Sequence, residues 1–316
     1  MKERLEMADD VLKVKEEYED YLFSFPNVVG VGIGEKVKTV NKKEVPTGEQ
    51  AVVCFVKSKK PLAMLGIEKV IPKVVAGVKT DVVETGIISA PPKKRVKWVG
   101  VYSPNRKRTE KWRPVEAGVS CGHPKVSAGT LGTFVSRKGE PHILSNNHVL
   151  ANVNNAEVGD PIIQPGIYDG GTSTDEIGTL KDFKPITFTE SNTVDCAIAT
   201  VSVPYDNYVV GLGKPEGITY PNIGMKVIKG GRTTGITRGA IRYIDATVEV
   251  GYPPQKTAIF KNQIMTDDMA DGGDSGSILF EDGTENVVGL LFAGSDKFTI
   301  FNKIDDVRKT LGFDIL

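Results

Sequence analysis

Asp271-Gly272-Gly273-Asp274-Ser275-Gly276-Ser277 is the densest chemical signal in the chain, one hydroxyl set among glycines that let the backbone pass close to a bound molecule. A serine that attacks a carbonyl needs N–H donors aimed at the oxygen that turns negative, and the N–H groups of Gly273 and Ser275 are placed for that role. Alone, the heptad would read first as a Gly/Asp turn between strands. Apolar runs flank it at 277–280 and 287–292. It is therefore a turn carried by strands, and its meaning depends on what else the chain can bring to it.

Two further stretches qualify. His148, one of three histidines, lies in Ile143-Leu144-Ser145-Asn146-Asn147-His148-Val149-Leu150, where an apolar strand runs into a polar turn. A lone histidine is more often a surface or satisfied core residue. Thr193-Val194-Asp195-Cys196-Ala197-Ile198-Ala199 sets a single carboxylate in an apolar strand. A buried carboxylate needs a partner, and a histidine N–H can be that partner while the other ring nitrogen accepts the serine proton.

The order His, Asp, Ser, the contexts Ser-Asn-Asn-His-Val, Asp-Cys-Ala-Ile and Gly-Asp-Ser-Gly-Ser, and the later Gly231-Arg232-Thr233-Thr234-Gly235 resemble chymotrypsin-fold (trypsin-like) serine peptidases over residues 114–316. Subtilisin-like enzymes run Asp, His, Ser, and α/β-hydrolases place the serine first, within G-x-S-x-G; Ser277 stands where the second glycine would be. Ser145–Leu150, Ile163-Gln164-Pro165-Gly166 and the run Val288 to Ser295 are similar to bacterial relatives of the plant narrow-leaf protease, and more distantly to HtrA-type proteases without a PDZ domain. The resemblance implies a chymotrypsin-like double β-barrel, a catalytic set of His148, Asp195 and Ser275, and an oxyanion hole from Gly273 and Ser275. It also implies a primary pocket near Met269 and along Phe292-Ala293-Gly294. Met269 would favour an apolar side chain; Asp267, Asp268 and Asp271 would suit a basic one if they reached the pocket. Zymogens of that fold begin Ile-Val-Gly-Gly and pair the freed amine with the aspartate before the nucleophile, here Asp274. No such start is present, so something internal must hold the turn.

The rest of the chain sets the frame. Residues 5–25 place Val11, Val14, Tyr18, Tyr21, Leu22 and Phe25 at helical spacing, with Glu16, Glu17, Glu19 and Asp20 opposite. Strand-like runs follow at 28–33, 50–56 and 82–88. This predicts a small α/β amino-terminal domain over 1–90 with a leading amphipathic helix. The stretch 91–114 carries nine basic residues against one acid, Glu110, and reads as an exposed, Pro-containing linker. Many short Val- and Ile-rich runs then make 115–316 a mainly β protease domain of two barrels, closed by a terminal helix with Ile304, Val307 and Leu311 at helical spacing before Gly312. Gly30-Val31-Gly32-Ile33-Gly34 lacks the G-x-G-x-x-G spacing and is read as a glycine-rich strand.

Lys+Arg and Asp+Glu number 40 each over 316 residues, so no global field exists to hold nucleic acid or an anionic membrane. The three cysteines, Cys54, Cys121 and Cys196, form no C-x-x-C pair and are read as reduced and buried. No metal or other cofactor is expected, since the acidic run at 267–274 lacks the EF-hand pattern. The absence of an apolar leader predicts a cytoplasmic protein. The expected partner is a protein or peptide substrate; the oligomeric state is left open, with the amino-terminal domain as the surface through which copies could associate. The reading is a serine endopeptidase working through an acyl-enzyme; its rivals are a catalytically silent scaffold of the same fold and an esterase using the same triad.

Overall fold

Strand closure defines the architecture of the computed structural model, which describes residues 2–40, 43–92 and 106–316. In the carboxy-terminal half, the strands Lys226–Gly231, Gly235–Tyr252, Lys256–Asp267, Phe298–Lys303, Asn286–Gly294 and Ile278–Glu281 pair antiparallel in that order, and the last pairs back onto the first. Six strands thus close a barrel and leave no edge inside the ring. Alternation splits its side chains into two buried clusters: Leu279, Leu291 and Phe301 form one, while Phe260 and Phe292, 4.7 Å apart between ring centres, join Met265 in another that also takes in Val53 and Phe55 of the amino-terminal segment.

A second ring precedes it. Pro161–Ile163, Glu176–Phe183, Ala197–Thr200, Glu140–Ser145 and Thr133–Arg137 pair antiparallel in sequence around the sheet. Closure comes from Ser120–Cys121, which pairs with Gly129–Thr130 on one side while Gly122 exchanges hydrogen bonds of 3.1 and 3.0 Å with Ile163 on the other. Phe134, Ile143, Leu144, Ile162, Ile177 and Ile198 belong to one buried cluster and are inaccessible to solvent. The double β-barrel expected of 115–316 is therefore present.

The amino-terminal segment is joined to the second barrel by backbone. Its helix, Lys2–Phe23, packs Val11 and Leu22 onto the hairpin of Val28–Val40 and Lys43–Val56. The first hairpin strand pairs antiparallel with Gly235–Tyr252, Gly30 opposite Val248 and Gly34 opposite Tyr243. The glycines of the Gly30–Gly34 run allow that approach, since a Cβ on Gly34 would overlap the Tyr243 ring. Glu19, assigned to the polar face of the helix, is instead buried: its carboxylate accepts from Thr247 Oγ1 at 2.7 Å and pairs with Lys15 and Lys261.

Residues 93–105 of the basic linker lie outside the described residues. Its last part is exposed at Arg106, Lys107, Glu110, Lys111 and Pro114, as expected, but two of its side chains turn inward. Arg108 is buried and donates to the carbonyls of Gly118 at 2.7 Å and Val210 at 2.6 Å, and Trp112 packs into the first barrel's core. The basic count obscured this: Arg108 is a clamp for two loop carbonyls that would otherwise be buried unpaired. The helix Ile304–Leu311 ends at Gly312, whose φ of 66° is the left-handed cap that glycine favours.

Candidate active site

His148 sits on the single turn Asn147–Leu150 that follows the barrel strand Glu140–Ser145, and Asp195 lies two residues before the neighbouring strand Ala197–Thr200. Register places Ser145 opposite Ala197, so strand pairing alone brings the two side chains together. His148 Nδ1 lies 2.6 Å from Asp195 Oδ2, and the His148 backbone N–H donates to Oδ1 at 3.2 Å. This fixes the tautomer: Nδ1 carries the proton and Nε2 is left as an acceptor.

Asp195 is fully buried and is gripped from the other barrel as well. The Tyr252 hydroxyl donates to Oδ2 at 2.7 Å, and the Asp195 N–H donates to Asn302 Oδ1 at 3.0 Å. Asn302 is itself oriented by Gln263 at 2.7 Å. Burial, and after it the Asp195 charge, push the Tyr252 phenol well above its ordinary value, so it stays a donor. Neither Tyr252 nor Asn302 was legible as a site residue; both become partners only when the barrels meet.

Ser275 lies in the turn between the second barrel's strands and is pressed against the first. Thr130 N–H donates to the Ser275 carbonyl at 2.8 Å, and Thr130 Oγ1 donates to the Gly273 carbonyl at 2.9 Å. Gly276 has φ 96°, and a Cβ there would overlap Ser145 Oγ, so the serine turn abuts the strand end that leads to His148. Gly273 has φ 100°. Among the described residues, the N–H groups of Gly273 and Ser275 donate to no protein acceptor, whereas those of Asp274, Gly276 and Ser277 do. Two adjacent unspent donors beside a serine are what a developing oxyanion requires. Ser275 Oγ and His148 Nε2 are both buried and without a hydrogen-bond partner among the described residues.

The internal support for the turn is Lys229. Its ammonium, in the middle of Lys226–Gly231, is inaccessible and lies 3.1 Å from Asp274 Oδ2. Asp274 also accepts from Thr234 Oγ1 at 2.6 Å and from the N–H groups of Thr233, Thr234 and Asp271 at 2.8, 3.1 and 3.0 Å. Burial works against its charge, but Lys229 and these donors outweigh it and hold the carboxyl below the usual range. A lysine inside the apolar run Val227-Ile228-Lys229 was the available signal.

No family model matches the sequence, and no curated protein matches it. Solved structures are similar in shape. Thermobifida fusca protease A is 16% identical at a TM-score of 0.48, over 64% of this chain and 99% of its own. A Cellulomonas bogoriensis chymotrypsin is 17% identical at 0.46, over 64% and 99%. Deg5 is 16% identical at 0.36, over 60% and 84%. The fold itself is decided by the two closed rings, with the His148, Asp195 and Ser275 turns at their junction. The chain has the chymotrypsin-like double-barrel fold.

Within that double barrel the expected pocket residues are dispersed in depth. Met269 is fully buried, its N–H on Thr299 Oγ1 at 2.8 Å and its carbonyl on Thr237 Oγ1 at 2.8 Å. Phe292 and Ala293 belong to the buried cluster shared with Val53, Phe55 and Ile88 of the amino-terminal segment, and Gly294 ends the strand they share. Asp267 turns outward to Arg242 at 2.6 Å, and Asp271 is held within the serine turn by its own contacts to Gly272 and Asp274. Among the described residues, no group of three or more His, Cys, Asp or Glu could hold a metal, and no helix is long and apolar enough to cross a membrane. Cys54, Cys121 and Cys196 are buried and unpaired; burial pushes the Cys54 thiol up to about 12 and raises the other two as well.

Proposed function

We propose that the protein is a serine endopeptidase. The observation that carries this reading is the 2.6 Å contact from His148 Nδ1 to a buried Asp195, which leaves Nε2 free to act as base, together with a Ser275 turn that abuts the His148 strand end and carries unspent N–H donors. His148 Nε2 takes the proton of Ser275 Oγ as the oxygen attacks a peptide carbonyl. The carbonyl oxygen becomes negative between the N–H groups of Gly273 and Ser275. Collapse of that intermediate expels the amine, which receives the proton from His148, and leaves an acyl-enzyme on Ser275. Water, deprotonated by the same imidazole, then releases the acid. Asp195 stabilises the imidazolium, and Tyr252 and Asn302 hold Asp195. The apolar preference at the cleaved residue rests on the resemblance, which would set Met269 near the primary pocket.

A fluorophosphonate probe tests the reading directly. Stoichiometric modification of Ser275, located by peptide mass, is expected. A folded chain that stays unmodified refutes it and favours the silent scaffold. A protein that takes the probe and cleaves esters, yet no peptide in a mixed-sequence library, would be an esterase.

A further inference from the structure

The segment that leaves the amino-terminal sheet runs into the second barrel between two of its strands. Ser89 N–H donates to the Gly294 carbonyl at 3.0 Å, and Gly294 N–H donates to the Ser89 carbonyl at 3.1 Å, an antiparallel bridge. On the other side, Gly251 N–H donates to the Ile88 carbonyl at 3.0 Å and Ala90 N–H to the Gly251 carbonyl at 3.0 Å. Ile88 and Ala90 are anchored in the core cluster that holds Phe292 and Tyr252, at 2% and 1% exposure. Pro92 folds back over Gly294, where a Cβ on the glycine would lie 3.2 Å from Pro92 Cβ.

The location gives this contact its meaning. On the strand Asn286–Gly294, Leu291 exchanges hydrogen bonds with the residues that follow the nucleophile: Gly276 N–H to its carbonyl at 2.8 Å and its own N–H to Ser277 at 2.9 Å. The partner strand Ile278–Glu281 covers only the earlier part of Asn286–Gly294. An extended peptide that reaches Ser275 by adding to this strand must take its main-chain bonds beyond Leu291, and a peptide recognised in this way uses exposed N–H and C=O groups of the strand edge. Three residues on, both such groups of Gly294 are already spent on Ser89. Because the bridge is antiparallel, Ser89 lies on Gly294 with the polarity of an incoming peptide strand, and Pro92 then folds back over the same glycine. The buried, unpartnered Ser275 Oγ and His148 Nε2 fit a cleft that is closed.

We propose, resting on the peptidase reading above, that residues 87–92 are a built-in cover. Ser89 occupies the strand-addition site on Gly294, and the cleft is closed to extended peptides until this segment lifts away. The cover differs from the Lys229–Asp274 device: the oxyanion turn is already formed, and access is what is withheld.

The full-length Ser275→Ala chain, which cannot turn peptide over, allows binding to be read apart from chemistry. The probe is a blocked peptide of three alanines and a phenylalanine amide. Hydrogen exchange of the Ser89 and Gly294 amides is followed as the peptide is added. Ser89 should lose its protection while Gly294 keeps its own, now bonded to the peptide. Unchanged protection of Ser89 with peptide bound overturns the cover. Adding Ser89→Pro removes the N–H that Gly294 accepts and should tighten peptide binding at least tenfold; equal or weaker affinity, or no binding by either chain, overturns it. If Ser89→Pro fails to fold by circular dichroism, the exchange measurement on the chain with Ser89 intact decides. Fluorophosphonate labelling of the unsubstituted chain separates the two readings. Labelling without a gain in affinity sinks the cover alone, and a gain without labelling sinks the chemistry alone.

Discussion

The Tyr252 hydroxyl and His148 Nδ1 converge on one oxygen, Asp195 Oδ2, at 2.7 and 2.6 Å. The two come from different barrels, so the tyrosine transmits the packing of the second barrel to the orientation of the imidazole in the first. Tyr252→Phe keeps the ring, which meets Phe260 and Phe188, and removes only the donor. A hydrogen bond to a charged group contributes about 1.5–3 kcal/mol, which is on the order of 10- to 100-fold in rate. Turnover of a small ester should fall by that factor with KM unchanged. A variant whose KM alone changes would remove Tyr252 from the positioning chain.

Lys229 and Asp274 predict a different failure. Lys229→Met leaves a fully buried carboxylate without its counter-charge, and breaking such a pair destabilises by about 3–5 kcal/mol. The variant should unfold at lower denaturant concentration and lose fluorophosphonate labelling of Ser275, because the Gly273 donor loses its scaffold. Lys229→Met/Asp274→Asn should recover part of the stability without recovering the labelling. Normal labelling in Lys229→Met would show that Thr233, Thr234 and Asp271 suffice to hold the turn.

How far the sequence carried the reading follows from what local pattern can encode. Asp195 announces itself as a lone carboxylate in an apolar run, His148 as a histidine where an apolar strand turns polar, and Ser275 as a hydroxyl among glycines, while short Val- and Ile-rich runs announce barrels. Tyr252 and Asn302 have ordinary surroundings, and their role depends on contacts 57 and 107 residues away. The same holds for the pairing of Val28–Val40 with Gly235–Tyr252, since alternation tells which face a strand buries but not which strand it joins. Arg108 and Trp112 were hidden by composition: a basic, proline-containing stretch reads as solvated, and only the carbonyls of Gly118 and Val210 show why a guanidinium belongs inside.

The junction of that stretch with the first barrel should be sensitive to acid. Asp175 accepts from Lys111 at 2.7 Å and caps its own turn through Thr172, and these contacts, Lys111 first, bring its carboxyl down to about 2. A carboxyl depressed in the folded state stabilises above its unfolded value of roughly 3.9 and loses that contribution as pH falls toward the folded value. Asp175→Asn should therefore lower the melting temperature at pH 6, and the gap from the unsubstituted chain should close between about pH 4 and pH 2. A gap that persists at pH 2 would assign the effect to the shape of the turn.

The decisive substitutions are those of the proposed chemistry itself. Ser275→Ala and His148→Ala should each remove a factor on the order of 10⁵–10⁶ in turnover, and the double substitution should be scarcely worse than either, because a base without a nucleophile and a nucleophile without a base fail at the same step. Asp195→Asn should lose on the order of 10⁴. An amide at that position can donate to His148 Nδ1, which leaves the ring proton on Nε2, where it cannot accept from serine. Two other aspartates serve as controls. Asp160 accepts from His123 at 3.1 Å and from the Glu157 N–H at 2.9 Å, and Asp175 is engaged by Lys111, so neither is bonded to His148. Asp160→Asn and Asp175→Asn should stay within a few-fold of the unsubstituted chain in steady-state ester hydrolysis at neutral pH. An inactive, folded Asp160→Asn beside a fully active Asp195→Asn would move the acid to the His123 side of the first barrel, and a fully active Ser275→Ala would remove the serine mechanism altogether.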